Sequence, residues 1–130
     1  MTENKNLSLL KFALGFFAIT AIVYGIGLVF FTERLVEMSG TAPIEPSWII
    51  WAGAALAGLG IGAVLALRNP GNQDGFVIAI GLGTLFIGLA MVYQLLFDWN
   101  PEHVVSFTAV PCALNLIGSA LLWLGRAKAR

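Results

Sequence analysis

Four apolar runs dominate the chain, at residues 12–31, 48–67, 76–97 and 104–125, and none of them carries Asp, Glu, Lys, Arg or His. Each is about 20 residues long. As a helix rising 1.5 Å per residue, that length crosses a hydrocarbon layer of about 30 Å. The segments between the runs are short and polar. Short connections place consecutive spans side by side and antiparallel. The pattern therefore predicts an all-α integral membrane protein, a single domain over residues 1–130 built as an up-down-up-down four-helix bundle.

The connecting segments carry their own signals. Residues 32–40 open like a helix and stop at Gly40, which predicts a short interfacial helix. Leu35, Val36 and Met38 would lie towards lipid while Glu33, Arg34 and Glu37 stay in water. Residues 41–46 include Pro43 and Pro46 and should be extended. Residues 68–75 are a compact set of turn formers, and residues 1–10 form a polar lead, frayed to about Asn6. Phe30, Phe31, Trp48 and Trp51 fall where spans leave or re-enter the outer boundary, the place aromatic side chains favour.

Composition changes the picture little. Hydrophobic residues make up 58% of the chain and charged residues 11%, far below the roughly 25% of soluble proteins. A formal net charge of zero gives no reason to expect a nucleic-acid partner. The single cysteine, Cys112, excludes an internal disulfide. Lys5 and Lys11 precede an apolar run too long for a signal-peptide core, and no small-residue cleavage pattern follows it, so the first run reads as a retained span.

Charge placement sets the expected orientation. Six of the seven basic residues (Lys5, Lys11, Arg68, Arg126, Lys128 and Arg130) lie on the side shared by both termini and the middle loop, and only Arg34 lies opposite. The positive-inside rule places that side in the cytoplasm. We thus expect a multi-pass protein of the inner (plasma) membrane with both termini cytoplasmic. Glu33, Glu37, Glu45, Asp98 and Glu102 face outward, and Glu3 and Asp74 inward. This bias argues against insertion in both directions.

Within lipid, helices associate through close packing and a few hydrogen bonds. In the second span Ala54, Gly58, Gly62 and Ala66 recur every four residues. They form a groove for helix packing, either within the chain or against a helix of another subunit. Ala21 with Gly25, and Thr84 with Gly88, repeat the spacing. Pro111 removes a backbone donor from the fourth span and should bend it. Counting along each span, Thr20, Thr84 and Asn115 fall near one depth, with Tyr24 a turn away. One reading is a small polar pocket of Asn115, Thr20, Thr84 and Tyr24 for a lipid, quinone or small solute. The alternative is that Asn115 makes an interhelical hydrogen bond, worth about 0.6 kcal/mol. Cys112 has no basic neighbour and reads as a packing residue. His103 beside Glu102 and near Asp98 is a solvated surface group or, less simply, a metal site.

Several activities are excluded. No histidine pair lies in the spans to ligate haem, and no membrane-embedded carboxylate can couple proton flow. Neither a CxxC motif, a nucleophile with a histidine base at depth, nor a phosphate loop is present. The sequence points to no enzyme, catalytic residue, metal or cofactor.

Four stretches carry a resemblance: Tyr24-Gly-Ile-Gly-Leu, Thr32-Glu-Arg-Leu-Val-Glu, Trp51-Ala-Gly-Ala-Ala-Leu-Ala-Gly-Leu-Gly-Ile-Gly and Arg68-Asn-Pro-Gly. In these, over most of the chain up to about Leu96, it resembles the DoxX-like group of small four-span bacterial membrane proteins. The resemblance implies the four-span fold. Some relatives are implicated in sulfur-compound or quinone-linked oxidation as partners of another subunit, but no redox residue here carries that activity over. The expectation is a non-enzymatic accessory or scaffold subunit of a membrane complex, contacting lipid and a protein partner or further copies of itself. The alternatives are a small oligomeric channel or carrier lined by Asn115 and Thr84, and a quinone- or lipid-binding partner of an oxidoreductase.

Overall fold

The computed structural model describes residues 6–40 and 47–130. Among them are five α-helices, a single 3-10 turn and no strand: α1 (Ser8–Phe30), α2 (Thr32–Ser39), α3 (Ser47–Ala66), the 3-10 turn Pro70–Asn72, α4 (Asp74–Phe97) and α5 (Ser106–Ala129). The extended stretch expected at 41–46 and most of the frayed lead lie outside the described residues.

The helical state follows from the solvent the apolar runs imply. In hydrocarbon every backbone N–H and C=O must be satisfied within the segment, and a helix does so. α1, α3, α4 and α5 are each long and apolar enough to cross a membrane. In their most apolar stretches only 28–33% of positions are buried inside the protein. The rest of that apolar surface needs a non-aqueous environment. The arrangement fits a multi-pass membrane protein. α1 and α5 run past the apolar runs at the end that carries Lys11, Arg126 and Lys128, because a helix continues readily into water. α5 also passes through Pro111 without interruption.

α1 is the hub. It packs along α3 on one side and α5 on the other, and α4 packs along α5. Gly25 of α1 meets Gly53 and Ala57 of α3, while Ile22 meets Gly60, so α1 and α3 are antiparallel. Gly125 against Leu10 and Gly118 near Phe16 make α5 antiparallel to α1, and Gly88 against Leu116 does the same for α4 and α5. Consecutive spans are thus not all neighbours. α3 and α4 share a short turn, and Phe76 reaches Gly62 beside it, yet the two do not pack along their length. The core holds Leu14 and Leu122, both fully buried, with Ala13, Ala63, Val77 and Ile80.

The α1–α3 seam explains which small residues matter. A Cβ on Gly25 would sit 2.7 Å from both the Ala57 nitrogen and the Gly53 oxygen. On Gly53 it would meet Leu28 at 2.7 Å, and on Gly60 it would meet Ile22 at 2.7 Å. The face of α3 turned to α1 is therefore Gly53, Ala57 and Gly60, one residue round from the expected stripe. Of that stripe, Ala66 is buried and Gly62 carries the Phe76 ring, but Ala54 and Gly58 are exposed. The cause is size matching: the bulky Leu28 and Ile22 of α1 need side-chain-free positions two turns apart, and Gly53 and Gly60 supply them.

At the end opposite the α3–α4 turn, the short helix expected after the first span is present as α2. It turns back so that Leu35 approaches Gly27. The Thr32 hydroxyl donates to the Leu28 carbonyl. Gly40 ends the helix at φ 75°, a left-handed conformation suited to glycine. The Ser39 carbonyl then accepts from the Val104 backbone N–H at 2.9 Å. Gly40 lies directly against the Glu102 carbonyl, leaving no room for a side chain. α2 thus ties α1 to the α4–α5 connection. Leu35 and Val36 are half-buried, whereas Met38 is exposed with Glu33, Arg34 and Glu37.

Gly25→Ala should destabilise the detergent-solubilised protein by about 1–3 kcal/mol, the usual cost of overpacking. Gly15→Ala, where a Cβ meets nothing within 4 Å, should be neutral or slightly stabilising. Unfolding titrations followed by tryptophan fluorescence would compare the two.

Candidate functional site

The polar residues at mid-span come first. Phe16 against Gly118 puts Thr20 level with Asn115, while Gly88 against Leu116 and Ser119 against Gly81 put Thr84 within about one turn of them. Each then turns to its own helix. The Thr20 hydroxyl donates to the Phe16 and Phe17 carbonyls at 2.9 and 3.1 Å. Thr84 donates to Ile80 and Gly81 at 2.8 and 3.1 Å, and the Asn115 amide donates to the Pro111 carbonyl at 2.8 Å. Tyr24 is half-buried on α1, and no hydrogen bond joins it to the other three. The four do not form a bonded group, and they do not line either of the clefts described below.

The interhelical bond expected of Asn115 belongs to Ser119, one turn further along α5. Ser119 is 2% exposed, and its hydroxyl donates at 3.0 Å to the Gly81 carbonyl of α4. Cys112, also buried, directs its thiol to the Gly88 carbonyl at 3.5 Å. Thr108, Cys112, Ser119 and Leu122 are buried together at heptad-like intervals of four, seven and three. That spacing was readable in the sequence. It was masked because a carboxamide draws more notice than a hydroxyl.

The densest electrostatics lie at the end of the bundle that carries the α3–α4 turn and the last turn of α5. The turn Pro70–Asn72 delivers Asp74 to the start of α4, and the last turn of α5 brings Arg126 and Arg130 over it. Arg126 is bidentate: its Nε donates to Oδ1 at 2.5 Å and its Nη2 to Oδ2 at 3.0 Å. Parallel bonds of this kind fix geometry as well as charge. Arg130 adds Nη2 to Oδ2 at 3.1 Å. The Arg126 guanidinium also lies 5.9 Å from the Trp123 ring centroid, within cation–π range, and Trp123 itself rests on Gly81. Around these groups is a cleft of about 230 Å³, walled by Leu10, Pro70, Gly71, Val77 and Ala129. From the sequence these charges informed orientation alone. The signal for the pair was Asp74 itself, the one acid of a middle loop that faces a basic carboxyl terminus.

A second, more open groove of about 350 Å³ lies at the α1–α2 joint, among Val29, Phe31, Glu33, Arg34 and Ile50. In the α4–α5 connection the Trp99 and His103 rings lie 5.8 Å apart. Among the described residues no group of three His, Cys, Asp or Glu is placed to hold a metal ion.

Searches against protein-family models, curated proteins and solved structures found no match to this chain.

Asp74→Asn should lower the midpoint of thermal unfolding in detergent, with the difference from wild type shrinking as salt rises and screens the charges. Asn115→Leu should change stability by less than about 1 kcal/mol, because the bond it loses is local. A large loss would reveal an interhelical role for the carboxamide.

Proposed function

We propose that this protein is a non-enzymatic accessory or scaffold subunit of a membrane complex, an up-down-up-down bundle with both termini in the cytoplasm. The observation that carries the reading is the condition of α3. It packs along α1 alone, and its outward side bears Ala54 and Gly58 at small-residue spacing, with open space beyond Gly58. Small residues on a lipid-facing helix allow another backbone to approach closely. A membrane helix held on one side, with such a surface on the other, is suited to receive a helix of a partner or of a second copy.

The orientation rests on charge. Lys11, Arg68, Arg126, Lys128 and Arg130 collect at the end opposite Glu33, Glu37, Asp98 and Glu102, the asymmetry that keeps the basic side in the cytoplasm. The resemblance to DoxX-like proteins, some acting beside another subunit, agrees with a partner role. The channel and quinone-site readings gain no comparable support, since Thr20, Thr84 and Asn115 each bond to their own helix.

Cysteine crosslinking in native membranes tests the reading. In a Cys112→Ala background, Ala54→Cys or Gly58→Cys should give a covalent adduct with another chain, while Ile117→Cys on exposed α5 should give far less. Equal yields at the two faces, or none at α3, would remove α3 as the contact surface.

A further inference from the structure

We infer that the cleft at the inner end is a binding site for the phosphate of an anionic phospholipid. Three observations converge there. The first is a surplus of basic side chains: two guanidiniums, Arg126 and Arg130, meet the single side-chain carboxylate of Asp74. Lys11, Arg68 and Lys128 are nearby in sequence at the same end, with no further acid among the described residues there.

The second is unused donor capacity. Arg126 bonds through Nε and Nη2, and Arg130 through Nη2 alone. A guanidinium carries five N–H donors in a planar fork matched to phosphate oxygens. The Nη1 group of each arginine and the Nε of Arg130 are therefore available to an incoming anion.

The third is the character and position of the cleft. One part is the charged group and the other is Leu10, Val77 and Ala129, which suits the junction between a headgroup phosphate and its first acyl carbons. At about 230 Å³ the space is below the roughly 300–1,000 Å³ of small-molecule pockets and matches a headgroup fragment better than a metabolite. The cleft sits where α1, α4 and α5 leave their apolar stretches. Basic pockets between spans on the cytoplasmic side are the places where anionic headgroups bind. This inference rests on the chain being a membrane protein and is independent of whether α3 has a partner.

Native mass spectrometry of the protein reconstituted with phosphatidylglycerol or phosphatidylcholine reads the proposal directly. Wild type should retain phosphatidylglycerol preferentially. Arg130→Gln, which leaves the bidentate Arg126–Asp74 pair intact, should lower that preference about fivefold, the usual effect of one basic residue at an anionic surface. Asp74→Asn releases both arginines and should keep or raise the preference even as it destabilises the fold. A purely structural role for the arginines predicts no such separation. Folded wild type without headgroup preference, or a preference unchanged in Arg130→Gln, would overturn the site. Displacement of bound phosphatidylglycerol by millimolar inorganic phosphate, with equal retention of both lipids, would mark a free-anion site and overturn the lipid as its occupant. Loss of α3 crosslinking alongside intact lipid preference would refute the partner reading alone.

Discussion

The close approach of α1 and α3 at Gly25, Gly53 and Gly60 is the contact on which the rest of the arrangement depends. Both helices are long and apolar enough to cross a membrane, and in hydrocarbon burying their side chains gains little over leaving them in lipid. Dispersion between surfaces in contact must hold them, and it fades within an ångström of separation. Two backbones within reach of each other, with Leu28 and Ile22 filling the places where α3 has no side chains, maximise it. α1 can then act as hub, presenting Gly25 to α3 while Leu10 and Phe16 meet α5 at Gly125 and Gly118.

Polar interactions complement this seam and are divided by depth. At mid-span the hydroxyls of Thr20 and Thr84 bond to carbonyls one turn back, which removes the desolvation penalty without joining helices. Two side chains of α5, Ser119 and Cys112, cross to α4. Gly81 serves twice there: its carbonyl takes bonds from both Thr84 and Ser119, and its lack of a side chain seats Trp123. Charged groups appear only where water returns. Arg126 and Arg130 fasten the end of α5 to Asp74 at one boundary. At the other, Gly40 and the Ser39–Val104 bond fasten α2 to the α4–α5 connection. The α4–α5 pair is thus closed by directional bonds, and the α1–α3 pair by shape.

The legible part of this architecture was the part governed by the solvent. Span length, absence of charge and the stop at Gly40 are properties of single segments, and the helices form close to where they were expected. The pairing of segments was less accessible. A four-residue repeat of small residues on α3 was visible, but which side meets α1 depends on where Ile22 and Leu28 project, a property of the other helix. Gly53 and Gly60, seven residues apart, therefore took the contact instead of Ala54 and Gly58. Depth counting placed Thr20, Thr84 and Asn115 at one level, yet it could not foresee that Asn115 would turn to Pro111 while Ser119 crossed to α4. Asp74 likewise became informative only once α5 brought Arg126 over it.

The contrast between the two helix pairs has a consequence for α3. Between residues 49 and 66 its only side chain with a polar atom is Trp51, which is 71% exposed. Through most of its length α3 offers no hydrogen bond with which to fix its rotation or height. Its position is set by the fit of Gly53 and Gly60 on α1 and by Phe76 against Gly62 near the α3–α4 turn. The fold thus combines a pair closed by directional bonds, α4 with α5, and a pair closed by shape, α1 with α3, and on α3 the small residues Ala54 and Gly58 face outward.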